Sequence, residues 1–435
     1  MATDTIQYFS DLYQQNAVKD GALQGFRRRQ LDNFSKWGIP GPRHEEWKYA
    51  RVSQLFTDKL SYLAGQPELR AADIDAYRLP GAAEATELVF INGQYHSGLS
   101  VIRHGADVLD AQPLEAAALG AHGAWIDANI GHSAQYHPDG VHALNGAFAG
   151  QGLSLAVAKN AALETPVYIY HIVDSRHGFT FAQPRVLIHV ESGAQVQIAE
   201  QYINFGGQDS FTNEVIEIVA EADSVVDYYK IQNEGPASNH VGTTHIRQAG
   251  KCLTNAVTIT LSGGMIRNNL NMIMESAHGE SHMYGLSLLD GKTLADNHTI
   301  VDNVQPHCFS NELYKAIMDG ESTGVFNGKI FVRKDAQKTN AYQSNKNILL
   351  GEKATANTKP QLEIFADDVK CSHGCTVGRL DEEALFYLRA RGISEKNAKA
   401  LLLHAFAVDV LEHIKLEPLR EHVDRLISER LDFNY

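Results

Sequence analysis

Apolar residues recur at helical spacing near the start of the chain. They alternate at a period of two through its long middle and return to helical spacing at its end. Leu23, Phe26, Leu31, Phe34 and Trp37 fall roughly on one side of a helix. Gly38-Ile39-Pro40-Gly41-Pro42 then stops it, because proline lacks the amide proton a helix needs. Residues 1–80 are expected to form an N-terminal helical region. Trp47 and Tyr49 make a second aromatic cluster there, read as core packing of that unit.

From about Glu87 to Val369 the texture is different. Short β-branched runs alternate with Gly, Asn and Asp turns. Arg185–Val190 and Gln195–Glu200 flank the turn Ser192-Gly193-Ala194. In the second run Val196 and Ile198 face one way, and Gln195, Gln197 and Ala199 the other. Similar runs occur at Asn213–Val219, Ser224–Ile231, Val257–Leu261 and Lys329–Val332. Amphipathic helical patterns are missing across this span, which argues against a parallel sheet with crossover helices. Two all-β architectures remain, a pair of sandwiches or a solenoid of stacked coils. No linker divides the region, which favours the solenoid, but no clean repeat period marks it. A solenoid has an open strand edge at each end, and helical units before and after it would suit the need to cover them.

After Gly378 helices return. Asp381 is placed to cap one that carries Glu382 and Glu383 in its first turn and ends at Gly392. Ser394 caps the next, and Glu417-Pro418 starts a third. These amphipathic faces pack on their own domain or dock a partner.

The chain has 435 residues, 44% apolar and 21% charged, an ordinary balance for a globular protein of two or three units. A net charge of −14 disfavours nucleic acid and anionic membrane surfaces, which need clustered Lys and Arg. The first residues show no basic-then-apolar leader, and no run approaches the length of a membrane span. Four cysteines in so long a chain do not make a disulfide framework, so a reducing, cytoplasmic setting is expected. No GxxxxGK[ST] loop occurs, so the chain is not expected to hydrolyse nucleotide.

Candidate chemistry concentrates in Cys371-Ser372-His373-Gly374-Cys375, which holds two of the four cysteines. Thiolate and imidazole are soft to borderline ligands suited to zinc, copper(I) or iron–sulfur species. On a regular strand the three side chains share a face, but the outer pair stands about 13 Å apart. Either Gly374 bends the chain, or only Cys371 and His373 converge. Even three ligands leave a tetrahedral metal one short, which points to completion from elsewhere. Cys308, beside His307, is one possible source, and a second chain is another. The plainer alternative is two small buried cysteines and a turn histidine. His132, His137 and His142, spaced by five, match neither a helix face nor a strand face and read as chance clustering. Asp296, His298 and Asp302 read as solvated turn residues. Asp296 and Asp302 would otherwise line, with Arg267, a glycan-cleaving groove.

Several ordered segments resemble the SufB/SufD proteins of the SUF iron–sulfur cluster assembly system, the SufD branch in particular. They include Gly324–Val332, Ala336–Thr339, Ala341–Asn345, Lys359–Ile364, Ala366–Gly374 and Leu385–Arg389, with Glu45-Glu46-Trp47-Lys48-Tyr49 near the start. The resemblance implies a mainly β fold: a right-handed parallel β-helix over residues 81–372, between helical regions at 1–80 and 373–435. It implies a non-catalytic scaffold that pairs with SufB through the β-helix end. The C-terminal helices would bind the ABC-type ATPase SufC. A transient cluster or iron would sit at the SufB interface on Cys371 and His373, with SufB adding a cysteine and no nucleotide bound by this chain. A homodimer is expected when the chain is expressed alone. The family pattern has alanine where this chain has Cys375, so Cys375 is either a neutral replacement or an added ligand.

Overall fold

The computed structural model describes residues 2–16, 21–57, 61–62 and 69–432. Parts of the expected helical region, at residues 1, 17–20, 58–60 and 63–68, lie outside the described residues, as do 433–435.

Two parallel sheets, of 11 and 10 strands, form the body. Successive strands alternate between them: Gln195–Phe205 lies in one, Ser210–Ala220 in the other, Val225–Asn233 back in the first. Each coil therefore lays one strand on each sheet. Parallel neighbours are reached through the opposite sheet, so no crossover helix is needed. Among the described residues, antiparallel pairing is confined to the first coil. The solenoid is thus selected over the sandwiches.

The missing repeat also has a cause. Tyr228, Ala256, Met283, Glu312, Gln343 and His373 are register partners in one column. Their spacings are 28, 27, 29, 31 and 30 residues. The stacking is regular but the corner loops differ in length, so the period drifts.

Both faces of these sheets are covered except at the last coil. Val196, Ile198, Ile216, Ile218 and Val226 point between the sheets. Ala199, on the opposite face, is also buried, together with Tyr229, Ile231, Val257 and Ile259, beneath C-terminal residues Leu403, Ala407, Val410 and Val423. Phe211 and Val241, on the outside of the other sheet, meet Phe9, Phe34, Trp47 and Leu144. β-Branched residues suit such doubly buried strands.

The helix ends follow local chemistry. Gln24–Trp37 stops at Gly38, whose φ is 63°. Asp381 accepts from the backbone N–H groups of Glu383 and Ala384, and Ser394 from that of Asn397. Glu417–Arg430 carries proline in its first turn. Two expectations need correction. Helices Leu114–Leu119, Gly123–Asn129 and Gly140–Ala147 interrupt the span read as free of helix. They are too short to show a repeat, and the last is buried throughout, so it has no polar face to betray it. The terminal helical units also flank the sheets rather than cover the end. Thr355–Ile364 and Lys370–Gly378 are each paired on one side only. The last strand continues past the expected boundary at 372/373, and the helices begin at Glu382.

A candidate site on the open edge

Cys371, His373 and Cys375 lie on the terminal strand Lys370–Gly378. They pair in unbroken register with Ala341, Gln343 and Asn345. Gly374 does not bend the strand, and a Cβ there would meet nothing within 4 Å. The bent arrangement of three converging ligands is therefore not formed. Cys371 and His373 are near neighbours on one face, about 6.6 Å apart along the strand, with Cys375 as far again beyond.

That face looks toward the solenoid interior, at its mouth. Cys371 is half-buried against the inner apolar cluster, while His373 and Cys375 are exposed. Below His373, buried Gln343 donates to the Glu312 carboxylate at 2.7 Å. Burial pushes Glu312 up to about 7, against opposing hydrogen bonds from Thr299 and Gln343.

The other cysteines are not at this edge. Cys308 is buried, with Sγ 3.2 Å from the Gln305 carbonyl and 3.4 Å from that of Ser276. Burial pushes its thiol up and drives Cys252 up to about 12. Burial also raises Cys371, partly offset by a backbone hydrogen bond at Ala341. Thiolate chemistry follows access and pKa. Brief N-ethylmaleimide treatment of native protein, diluted to monomer, should modify Cys375 first, Cys371 more slowly, and Cys252 and Cys308 only after unfolding. Peptide mass spectrometry reads that order, and early labelling of Cys252 would contradict it.

The remaining candidates are structural. His132 Nδ1 lies 2.8 Å from His245 Nε2, His142 bonds Ser133, and His137 bonds Asn271. They do not converge on one point. Burial lowers His142 to about 4 and His245 to about 3, so both are held neutral. Asp296, His298 and Asp302 are buried strand residues, which corrects the solvated-turn reading. Arg267 pairs with Asp296 at 2.9 Å, stacks over Trp47 at 4.7 Å and donates to the Glu46 carbonyl. His298 and Lys329 hold the Glu46 carboxyl well below the usual range. These groups clamp the Trp47 segment to the sheet, leaving no open groove at Asp296.

Large apolar side chains are exposed in the segments before and after the terminal strand. Phe365 is 58% exposed, Phe386 74% and Tyr387 57%, the latter two on helix Glu382–Ala390, which buries none of its residues. Single exposed apolar residues are normal, but two large ones on a helix with no buried residue mark a contact surface. The sequence reading missed one further constellation: His171, Glu200, Tyr202, Glu214, Tyr228, Lys230 and His240, buried between the sheets. Its only signal is parity. Glu200 and Tyr202 continue the inward alternation of Val196 and Ile198.

No helix among the described residues is long and apolar enough to cross a membrane. Residues 171–406 match the family model for the SUF system FeS cluster assembly SufBD core domain, and residues 3–169 that of the SufBD N-terminal region. The chain is 31% identical over 422 residues to an iron–sulfur cluster assembly SufBD family protein of Synechocystis sp., covering 95% of this chain and 92% of that one. It is 28% identical over 437 residues to the iron–sulfur cluster assembly protein SufD of Escherichia coli, covering 99% and 97%. A chloroplastic protein of Arabidopsis thaliana, ABCI7, is 30% identical over 289 residues, covering 64% and 60%.

Proposed function

Because this chain belongs to the SufBD family of iron–sulfur cluster assembly proteins, we propose that it is the SufD-type scaffold subunit of a SUF complex. The observation that carries this reading is the terminal strand Lys370–Gly378, unpaired on its outer side, which presents ligand side chains on an edge that another chain can extend. SufB is the partner for that edge. Cys371 and His373 supply part of a ligand set, SufB supplies the rest, and a nascent cluster or iron is the cargo. Cys375 lies beyond the near pair and serves no required role.

The exposed face of Glu382–Ala390 is the contact for the ATPase SufC. ATP hydrolysis belongs to SufC, and this chain contributes surface and ligands. Nucleotide-driven motion acts on the interface only through contacts that differ between the two nucleotide states. The setting is the cytoplasm, and a homodimer forms through the same edge when SufB is absent.

Co-expression with SufB and SufC tests the assignment. All three are expected to co-purify at micromolar concentration. Phe386→Asp should lose SufC and keep SufB, because a buried unpaired carboxylate is costly in an apolar contact. Absence of SufC from the wild-type complex would sink the reading.

A further inference from the structure

Inside the solenoid, far from the edge, His171, Glu200 and Glu214 bring three ligand atoms within 4.8 Å of one another. His171 Nε2 stands 3.2 Å from Glu214 Oε1 and 3.5 Å from Glu200 Oε1. Ligands about 2.1 Å from a tetrahedral ion are about 3.4 Å apart, so these separations fit the edges of a coordination polyhedron. All three residues are almost completely buried. Neither ring nitrogen of His171 has a hydrogen-bond partner, and Glu200 Oε1 has none. Buried polar atoms that crowd together without well-formed hydrogen bonds are costly unless something occupies the point they face.

The surrounding groups orient the ligands. Tyr202 and Tyr228 donate to Glu200 Oε2, and Lys230 donates to Glu214 Oε2. The far oxygens are thereby held, and both Oε1 atoms lie toward His171; the single Tyr202 proton is shared between Glu200 Oε2 and Glu214 Oε1. The His171 ring is fixed by stacking on Tyr202, centroids 4.8 Å apart and planes 12° apart. Metal-binding residues are characteristically positioned by such outer partners. His240 adds a second imidazole, also buried and without a hydrogen bond, with Nε2 3.9 Å from Glu214 Oε2. Gly242 leaves it room: a Cβ there would stand 2.5 Å from His240 Nε2 and 2.9 Å from Lys230 Nζ. Lys230 is the one Lys or Arg side chain bonded to the two carboxylates among the described residues.

We propose that His171, Glu200 and Glu214 form a buried site for a first-row divalent cation. Imidazole with carboxylate suits Zn(II), Fe(II) or Mn(II) rather than the thiophilic Cu(I). The site is independent of the edge and of the reading above. Glu200 and Cys375 share a register column but are six strand spacings apart, about 29 Å. No element lies open over it, so the ion enters as the coils close during folding.

The test uses full-length protein expressed in medium supplemented with zinc or cobalt, then desalted against a chelator. Elemental analysis is expected to find stoichiometric metal. The cobalt form should show ligand-field bands without the intense thiolate charge-transfer band. Glu200→Gln with Glu214→Gln should lower retained metal at least about tenfold. If that pair fails to fold, His171→Gln should give the same loss in a chain with native circular dichroism. Removing Cys371, His373 and Cys375 together should leave retention unchanged. Lys230→Met should bind metal more tightly and depend on it for thermal stability, whereas a purely structural ion pair would be destabilised with no rescue by metal. Metal-free wild type after saturation, retention unaltered in the His171 and Glu variants, or loss on removing the edge ligands would each overturn the proposal.

Discussion

Alanine at His373 or at Cys371 should reduce cluster recovery from the assembled complex at least about tenfold, with subunit association unchanged. The argument is one of placement. Both side chains lie on a strand whose backbone pairs in full with Asn340–Leu349, so removing either alters no ladder bond. His373 is exposed and Cys371 half-buried, so neither truncation leaves more than a small void in the core. What is lost is ligation. Cys375→Ala should behave as wild type, since about 13 Å separates that residue from Cys371 along an unbent strand. Anaerobic reconstitution followed by visible absorption reads the outcome. Normal cluster maturation by both variants, in cells lacking other assembly systems, would remove Cys371 and His373 from the ligand set.

Arg185→Met should cost about 3–5 kcal/mol of stability, the usual result of stripping one partner from a buried ion pair. Arg185 is 1% exposed, bonds Glu217 and Asn145, and lies over the Phe26 ring. Glu217 in turn accepts from the backbone of Gly131 and Ser133 and from the Ser133 hydroxyl. The pair thus fastens the N-terminal helical layer to the sheet. Burial alone would raise the Glu217 pKa, but Arg185 and the Ser133 and Gly131 donors outweigh it and hold it at about 2. Because the folded value lies below the unfolded one near 4.5, this contribution is present in full above about pH 5. It is lost as pH falls toward 2. In Arg185→Met that acid limb should shrink, since the group holding Glu217 ionised is gone. All three tryptophans, Trp37, Trp47 and Trp125, belong to this layer, so fluorescence during denaturation reports its release. A change below about 1 kcal/mol would refute the clamp.

Much of this was readable from residue order, and the exceptions share a cause. The helix caps at Asp381 and Ser394 and the stop at Gly38 are local, needing only neighbours in sequence, and the structure has them. The strands at Val196 and Ile198 were visible through alternation. Gly140–Ala147 was not, because it is buried on all sides. Alternation put Ala199 on the face opposite Val196 and Ile198, but carried no sign that helices some 200 residues later cover that face. Asp296 and Asp302 looked like turn residues because their partners, Arg267 and Arg333, lie one coil away. The edge segment Cys371–Cys375 stood out by composition, but only the unbroken register decided that Gly374 does not gather its ligands. The interior His171–Glu200–Glu214 group was illegible because its members come from three strands of two sheets.

The unequal coils carry a consequence for how the chain finds its register. In a perfectly periodic solenoid a strand docked one coil too early satisfies the same bonds, and such errors are separated from the native state by little energy. Here neighbouring coils differ by one or two residues. A strand that lands in the wrong slot must bulge or slide to close its corner. A slide of one residue turns every inward side chain outward, exchanging Glu200 and Tyr202 with Ala199 and Gln201. The drift in coil length therefore works as an address, penalising misthreading in proportion to the mismatch at each corner.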